Sequence, residues 1–410
     1  MKNRLILNKI IPYLNSSEVI VVHGARQVGK TTLLKLIERH ILIEDESKRV
    51  VYLDLEDSFN LTLCNEGPKS VLEYIRSRYS IEGHFVLMID EIQYLDNPSS
   101  FLKLIHDHHR EDLKCLVSGS SSFDIKSKFK DNLVGRTINF ELFPLSFAEY
   151  LDFKDERFNL SNIKSEHVNG LLKKHYINFA KFGGYPKIVL ENEIQKKEAF
   201  LKQIITTYVK KDLVDLGKIK EIQKYNNLIH ILATQMTDQL NNLEVSNTLD
   251  LSRQTVNHYI DVMHQTYVIN LVFPYSKNIR TELSKMPKLF WEDTGIGTLI
   301  KFSHFIEFLD GKMFENSVYT ELRKGLFIDK VNYWRTTNKQ EVDFILQIKN
   351  KVVPLEVKLN YSGQAVSSLN YFMEKYNVDV GYIVTLNKNN NPKSDNIVLL
   401  YPWELQNIQS

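Results

Sequence analysis

The residues of this 410-residue chain whose types and spacing suit chemistry fall into three groups. The first is the run Gly24, Ala25, Arg26, Gln27, Val28, Gly29, Lys30, Thr31, which fits G-x-x-x-x-G-K-[ST] without a mismatch. Apolar Val19–Val22 precedes it, and a helix-compatible run beginning at Thr32 follows. Glycines at 24 and 29 let the backbone turn its amides inward as an anion nest, and the following helix N-terminus adds its dipole. Residues Gly24 to Thr32 are therefore expected to cradle phosphate groups. Lys30 would neutralise the β- and γ-phosphates and the Thr31 hydroxyl would ligate magnesium, so the expected cofactors are ATP and Mg²⁺.

The second group begins at His84, where an apolar run ends in Asp90 and Glu91. At the carboxyl edge of a strand beside phosphates, Asp90 is placed to hold Mg²⁺ through water and Glu91 to polarise the attacking water. Two solvated loop acids are the alternative. One βα unit later, Leu113–Ser118 ends in hydroxyls, of which Ser118 or Ser120 would sense the γ-phosphate. Arg136, after Gly135, reads either as an arginine finger, in cis or from a neighbouring subunit, or as a structural arginine.

The third group is a hairpin. Glu341-Val342-Asp343 opens an apolar run to Ile348, and Val352 leads to Glu356-Val357-Lys358. A two-residue turn at Lys349-Asn350 sets Val342 opposite Val357, Phe344 opposite Leu355 and Leu346 opposite Val353. On the other face Asp343 meets Glu356, and Glu341 meets Lys358. A one-residue slip of the turn keeps the same faces, because strand side chains alternate. Close carboxylates repel unless a cation sits between them, which suits Mg²⁺ with Lys358 near an attacking water. A polar strand face with a Glu341–Lys358 pair is the other reading.

The elements that must position these groups follow from apolar patterning. Short continuous runs at 19–23, 50–55, 86–90 and 115–118 alternate with helical stretches, the rhythm of a parallel α/β sheet buried on both faces. From about 150 to 275 helices dominate. Ser252 is a plausible N-cap for a helix whose Val256, Tyr259, Ile260 and Met263 fall on one face, the second helix of a helix-turn-helix. Its outer face would present Arg253, Gln254, Asn257 and His258 to DNA or to a protein. Strands return after 276. The expected domains are 1–150 for the nucleotide, 151–275 helical, and 276–410 α/β.

Composition narrows the classes. Hydrophobic residues at 43% and charged residues at 25% are ordinary for globular protein. Fifty-two basic against 50 acidic residues exclude a histone-like polycation, though not a local nucleic-acid patch. Two cysteines cannot build a disulfide framework. The N-terminus lacks a signal-peptide pattern and no apolar run is long enough to span a bilayer, so a cytoplasmic protein with no membrane partner is expected.

Gly24–Thr31, Val86–Gln93, Val117–Ser121, Gly135–Arg136, Leu142–Tyr150, Phe182–Pro186 and Thr207–Asp212 resemble prokaryotic P-loop ATPases of the AAA+/STAND type. The resemblance implies a P-loop NTPase parallel sheet, a helical and winged-helix middle domain, and a C-terminal restriction-endonuclease-like α/β domain. The hairpin resembles PD-(D/E)xK nucleases, with Asp343 as first acid, then Glu356 and Lys358, and with Glu315 matching an extra helical acid. Asp343, Glu356 and Glu315 are then the expected metal ligands, and Asp343, Glu356 and Lys358 the nuclease set. Two functions are in view: a Mg²⁺-dependent ATPase that couples nucleotide state to DNA engagement or cleavage, or a nucleotide-dependent regulatory switch acting through protein contacts without cutting. Candidate partners are ATP, DNA, and a further copy of the chain or another protein.

Overall fold

The computed structural model describes residues 2–79, 83–119, 133–161, 163–212, 214, 219–276, 282, 285–325, 328–363, 366–388, 392 and 394–408. The chain divides into two compact units. One is Met1–Phe143 with Gln265–Tyr267; the other is Pro144–His264 with Val268–Ser410. Residues 276–410 and all of 151–275 except Gln265–Tyr267 fall in the second of these units.

The first unit is built on five strands: β1 (Val19–His23), β2 (Val50–Asp54), β3 (Phe85–Asp90), β4 (Leu113–Gly119) and β5 (Thr137–Glu141). They lie in the order β2-β3-β4-β1-β5, and every pair is parallel. β1, β3 and β4 are buried along their whole length, which is why they read as unbroken apolar runs. β5 escaped the patterning because Thr137, Asn139 and Glu141 interrupt it and it is a half-exposed edge strand. Helix α1 (Lys30–Glu44) leaves β1 through Gly29 at φ 101° and buries Leu33, Leu34, Ile37 and Ile41. Cys64 and Cys115 are buried free thiols in this core.

The second unit begins with helices, among them α2 (Ile222–Thr234), α3 (Asn242–Leu249) and α4 (Arg253–Gln265). A two-stranded antiparallel sheet of β6 (Ile269–Val272) and β7 (Lys288–Trp291) follows. Helix α5 (Gly311–Lys324) then leads to β8 (Lys330–Arg335), β9 (Glu341–Ile348), β10 (Lys351–Lys358), α6 (Ser367–Tyr376), β11 (Gly381–Thr385) and β12 (Ile397–Leu400). This sheet has the order β12-β11-β10-β9-β8. It is mixed: β8, β9 and β10 are antiparallel neighbours, whereas β10, β11 and β12 run parallel. Phe314 and Val318 of α5 cover one face, with Phe344, Leu346 and Leu355. Leu369 and Phe372 of α6 cover the other, with Val342 and Ile345. The short β6 and β12 carry too few residues to stand out from apolar helix segments.

Backbone packing around the phosphate loop is tight. A Cβ on Gly24 would overlap the Leu142 carbonyl oxygen, whereas one on exposed Gly170 meets nothing. Gly24→Ala is therefore expected to cost about 1–3 kcal/mol in urea unfolding. Gly170→Ala, inside the helix Glu166–Phe182, should be neutral or stabilising by up to about 1 kcal/mol.

Candidate functional site

The parallel order brings the carboxyl ends of β1, β3 and β4 to one edge of the sheet, with β4 between the other two. Asp90, at the end of β3, is 2% exposed. Its carboxylate is satisfied from three elements. Thr31 Oγ1 donates to Oδ2 at 2.6 Å and the Tyr52 hydroxyl donates to the same oxygen at 2.7 Å. Ser118 Oγ, fully buried, donates to Oδ1, as does the Glu91 amide at 3.1 Å. The expected residues Thr31, Asp90 and Ser118 are thus brought together. Tyr52 was not anticipated, because a tyrosine in a strand usually signals packing. Its hydroxyl is held protonated by burial and by the Asp90 charge. Ser120 lies outside the described residues.

Lys30 points back into the loop and donates to the carbonyls of Gly24 at 3.1 Å and Ala25 at 2.9 Å. It is 5% exposed. Burial pulls its pKa down to about 8, partly opposed by Glu91 and Asp90. A desolvated ammonium facing neutral carbonyls is suited to an anionic phosphate. Thr31 and Asp90 present hard oxygen donors side by side, which suits Mg²⁺. Glu91 has φ 58°, in the left-handed region, and its carboxylate accepts from the Gln93 side-chain amide. That strained turn lifts Glu91 off the strand axis. Two further groups buttress the loop without a sequence signal. Arg4 donates to Val28 O at 2.7 Å and Phe143 O at 2.8 Å. His23, next to Gly24, is 2.5 Å from the Tyr267 hydroxyl, which also donates to Glu141 at 3.1 Å.

Arg136 requires a correction. Its carbonyl accepts from Val19 N at 2.9 Å, so it sits at the amino end of β1, opposite the phosphate loop. Its guanidinium pairs with Asp107 at 2.7 Å. Parallel register therefore removes Arg136 from the phosphate site of its own chain, because a residue before β5 lies at the wrong edge of the sheet.

In the second unit the hairpin forms with the expected register, Lys351 opposite Ile348 through Leu355 opposite Phe344. The pairing stops there. Against β8 the register shifts between Asn332 and Trp334. Two residues of β9, Asp343 and Phe344, therefore fill the space facing one of β8, the geometry of a bulge. Val342 consequently joins the α6 face and Phe344 the α5 face, contrary to the single apolar face expected. The bulge turns the Asp343 carboxylate back to accept the Val357 amide at 2.8 Å. The expected Glu341–Lys358 pair is absent too: Lys358 donates to Glu356 at 2.6 Å, and Glu341 pairs with Lys288 at 2.5 Å and Arg335 at 3.2 Å.

Lys288, unnoticed in the sequence, pairs with two of the expected metal ligands, Glu315 and Asp343. Its ammonium is also 3.2 Å from Glu315 and 3.8 Å from Asp343. Burial alone would lower its pKa, but Glu315, Asp343 and Glu341 outweigh that and raise it. Glu315 and Glu356 are both raised, first by burial and then by Asp343. Among the described residues no three acids, histidines or cysteines are arranged to hold a metal ion. Asp343, Glu356 and Glu315 do converge, but as folded they do not fit Mg²⁺.

Helix α4 has the expected cap, Thr255 N donating to Ser252 Oγ at 3.0 Å. Val256, Tyr259, Ile260 and Met263 are buried, and Arg253, Gln254, Asn257 and His258 are exposed.

An anion taken up against Lys30 is expected to bind in a pH-dependent way. A bound phosphate favours the charged ammonium and raises its pKa above the free value of about 8. Binding therefore takes up a proton once the free lysine is neutral. Calorimetric titration with ATP should show affinity falling as pH rises through 8, approaching roughly tenfold per pH unit. Lys30→Ala should bind weakly with little of this dependence.

Comparison with known proteins agrees with the geometry of the first unit. Residues 16–151 match the family model of an AAA domain. Residues 173–304 and 310–405 match two domains of unknown function (DUF8612 and DUF4143). An uncharacterized protein of Methanocaldococcus jannaschii is 29% identical over 356 residues, 85% of this chain and 76% of that protein. The chromosomal replication initiator protein DnaA of Thermotoga sp. is 24% identical over 230 residues, 52% of this chain and 50% of that protein. Among solved structures, the Aeropyrum pernix ORC1 protein in complex with DNA is similar at TM-score 0.32 and 12% identity, over 70% of this chain and 88% of that one. The phosphate loop, Asp90 and the five-stranded parallel sheet all lie within the residues 16–151 that match the AAA domain model.

Proposed function

We propose that this chain is a magnesium-dependent ATPase that uses nucleotide state to control engagement of DNA. The observation that carries the ATPase reading is the buried Asp90 carboxylate, held by Thr31, Tyr52 and Ser118 beside the desolvated Lys30. Lys30 and the loop amides bind the phosphates. Thr31 and Asp90 would hold Mg²⁺, which supplies charge neutralisation when bound. Glu91, on its strained turn, accepts the proton of the attacking water. Catalysis on this reading is positioning and electrostatics, since phosphoryl transfer needs little covalent help from protein.

The DNA reading rests on α2, α3 and α4 followed by the antiparallel pair β6 and β7, an order that suits a winged helix. The exposed face of α4 offers Arg253, Gln254, Asn257 and His258. The similarity to proteins named as replication initiators supports the same reading. Cleavage is left out of it, because Lys288 stands among the C-terminal acids. A switch acting through protein contacts is favoured by the balance of 52 basic and 50 acidic residues. A cytoplasmic location and assembly into oligomers belong to the proposal. Among the described residues no helix is long and apolar enough to cross a membrane.

Two measurements test it. Glu91→Gln should keep ATP affinity and lower steady-state hydrolysis by about 10²–10⁴-fold; unchanged turnover would remove Glu91 from its role. Fluorescence anisotropy with duplex DNA and ATP should show salt-sensitive binding that Arg253→Ala weakens by about fivefold or more. Absence of binding at low salt would leave the protein-contact switch.

A further inference from the structure

The second unit holds a dense group of buried charges that the ATPase does not use. Glu315 comes from α5, Glu341 and Asp343 from β9, Glu356 from β10 and Lys288 from β7. Lys288 lies 3.2, 2.5 and 3.8 Å from Glu315, Glu341 and Asp343. It is 4% exposed. Its backbone is fixed on both sides, paired with Val272 of β6 and bridged to Gln239. Swinging its side chain out into water would break all three of these ion pairs. A second observation is independent of the lysine. Glu356, 8% exposed, uses Oε1 for Lys358, while Oε2 is buried without a hydrogen-bond partner. A buried carboxylate oxygen without a donor is costly, and it marks a place where a further positive group fits.

We propose that Lys288 is the resident cation of this acid cluster, and that a divalent ion reaches Asp343 and Glu315 only when Lys288 is displaced. An ammonium and a divalent ion compete for the same carboxylate oxygens, and the ammonium is tethered. Its local concentration is therefore always high, and the metal must overcome both its charge and its packing. The bulge at Asp343 adds to this. One Asp343 oxygen is bound to the Val357 amide, leaving the other turned to Lys288. The cluster is thus a PD-(D/E)xK-like arrangement locked by an internal cation. Displacement would leave the Glu315, Glu341 and Asp343 carboxylates facing one vacated position, oxygen donors of the kind that Mg²⁺ or Mn²⁺ takes.

The test uses the full chain without nucleotide and Mn²⁺ alone, with free Mn²⁺ followed by electron paramagnetic resonance. Wild type, Lys288→Met and Lys288→Met/Asp343→Asn are compared. The expected result is one Mn²⁺ site per chain in Lys288→Met, about tenfold or more tighter than anything Asp343-dependent in wild type, and lost in the double variant. Mn²⁺ should also raise the thermal midpoint of Lys288→Met and leave that of wild type unmoved. If Lys288→Met does not fold, Lys288→Met/Glu341→Gln, which lowers the uncompensated charge, carries the same comparison. A wild-type site as tight as that of the variant and abolished by Asp343→Asn would overturn the proposal. So would a folded Lys288→Met that gains no site.

Discussion

Burying a carboxylate is the constraint around which the nucleotide-binding unit is arranged. Asp90 ends a strand enclosed on both faces, where an unsatisfied charge would cost several kcal/mol. Its two oxygens are met by hydroxyls from α1, β2 and β4 and by the Glu91 amide. Those donors come from distant parts of the chain, so the carboxylate is satisfied only once β2, β3, β4 and the phosphate loop have assembled. The same hydrogen bonds aim Asp90 and Thr31 at one place. Stability of the fold and preparation of the site are here one set of contacts.

Lys30 shows the opposite arrangement. Its ammonium is buried but donates only to weak neutral acceptors among those bonds the loop provides, Gly24 O and Ala25 O. The pull on its pKa expresses that shortfall. A site that leaves a cation undercompensated holds free energy in reserve for an anion. Arg4, Leu142 and the glycines keep the loop from relaxing to relieve it.

The second unit solves its charge problem internally. Acids from α5, β9 and β10 meet lysines from β7 and β10. Replacing such a cluster by apolar residues often costs nothing, so buried ion pairs of this kind are weak evidence of added stability. The β9 bulge is what makes it possible. A regular strand would put Val342 and Phe344 on one face, whereas the bulge separates them and frees Asp343 to turn inward.

Gly24–Thr31, the strands β1, β3 and β4, and the capped α4 were legible in the sequence because each is a local property. Their glycine spacing, unbroken apolarity and i, i+3, i+4 periodicity need no distant partner to be recognised. The hairpin register was legible for the same reason, since turn length and alternation set it. Tyr52, Arg4, Tyr267 and Lys288 were not, because each acts through hydrogen bonds or ion pairs to residues far along the chain. Edge strand β5 was hidden by its polar outer side chains, and with it the position of Arg136 at the far end of the sheet. Local composition determined that a glycine-rich loop of phosphate-binding pattern follows β1 and that acids gather in the hairpin. Only the tertiary structure decided which cation those acids face, because strand order, bulge and burial place Lys288 there, and no spacing along the chain encodes them.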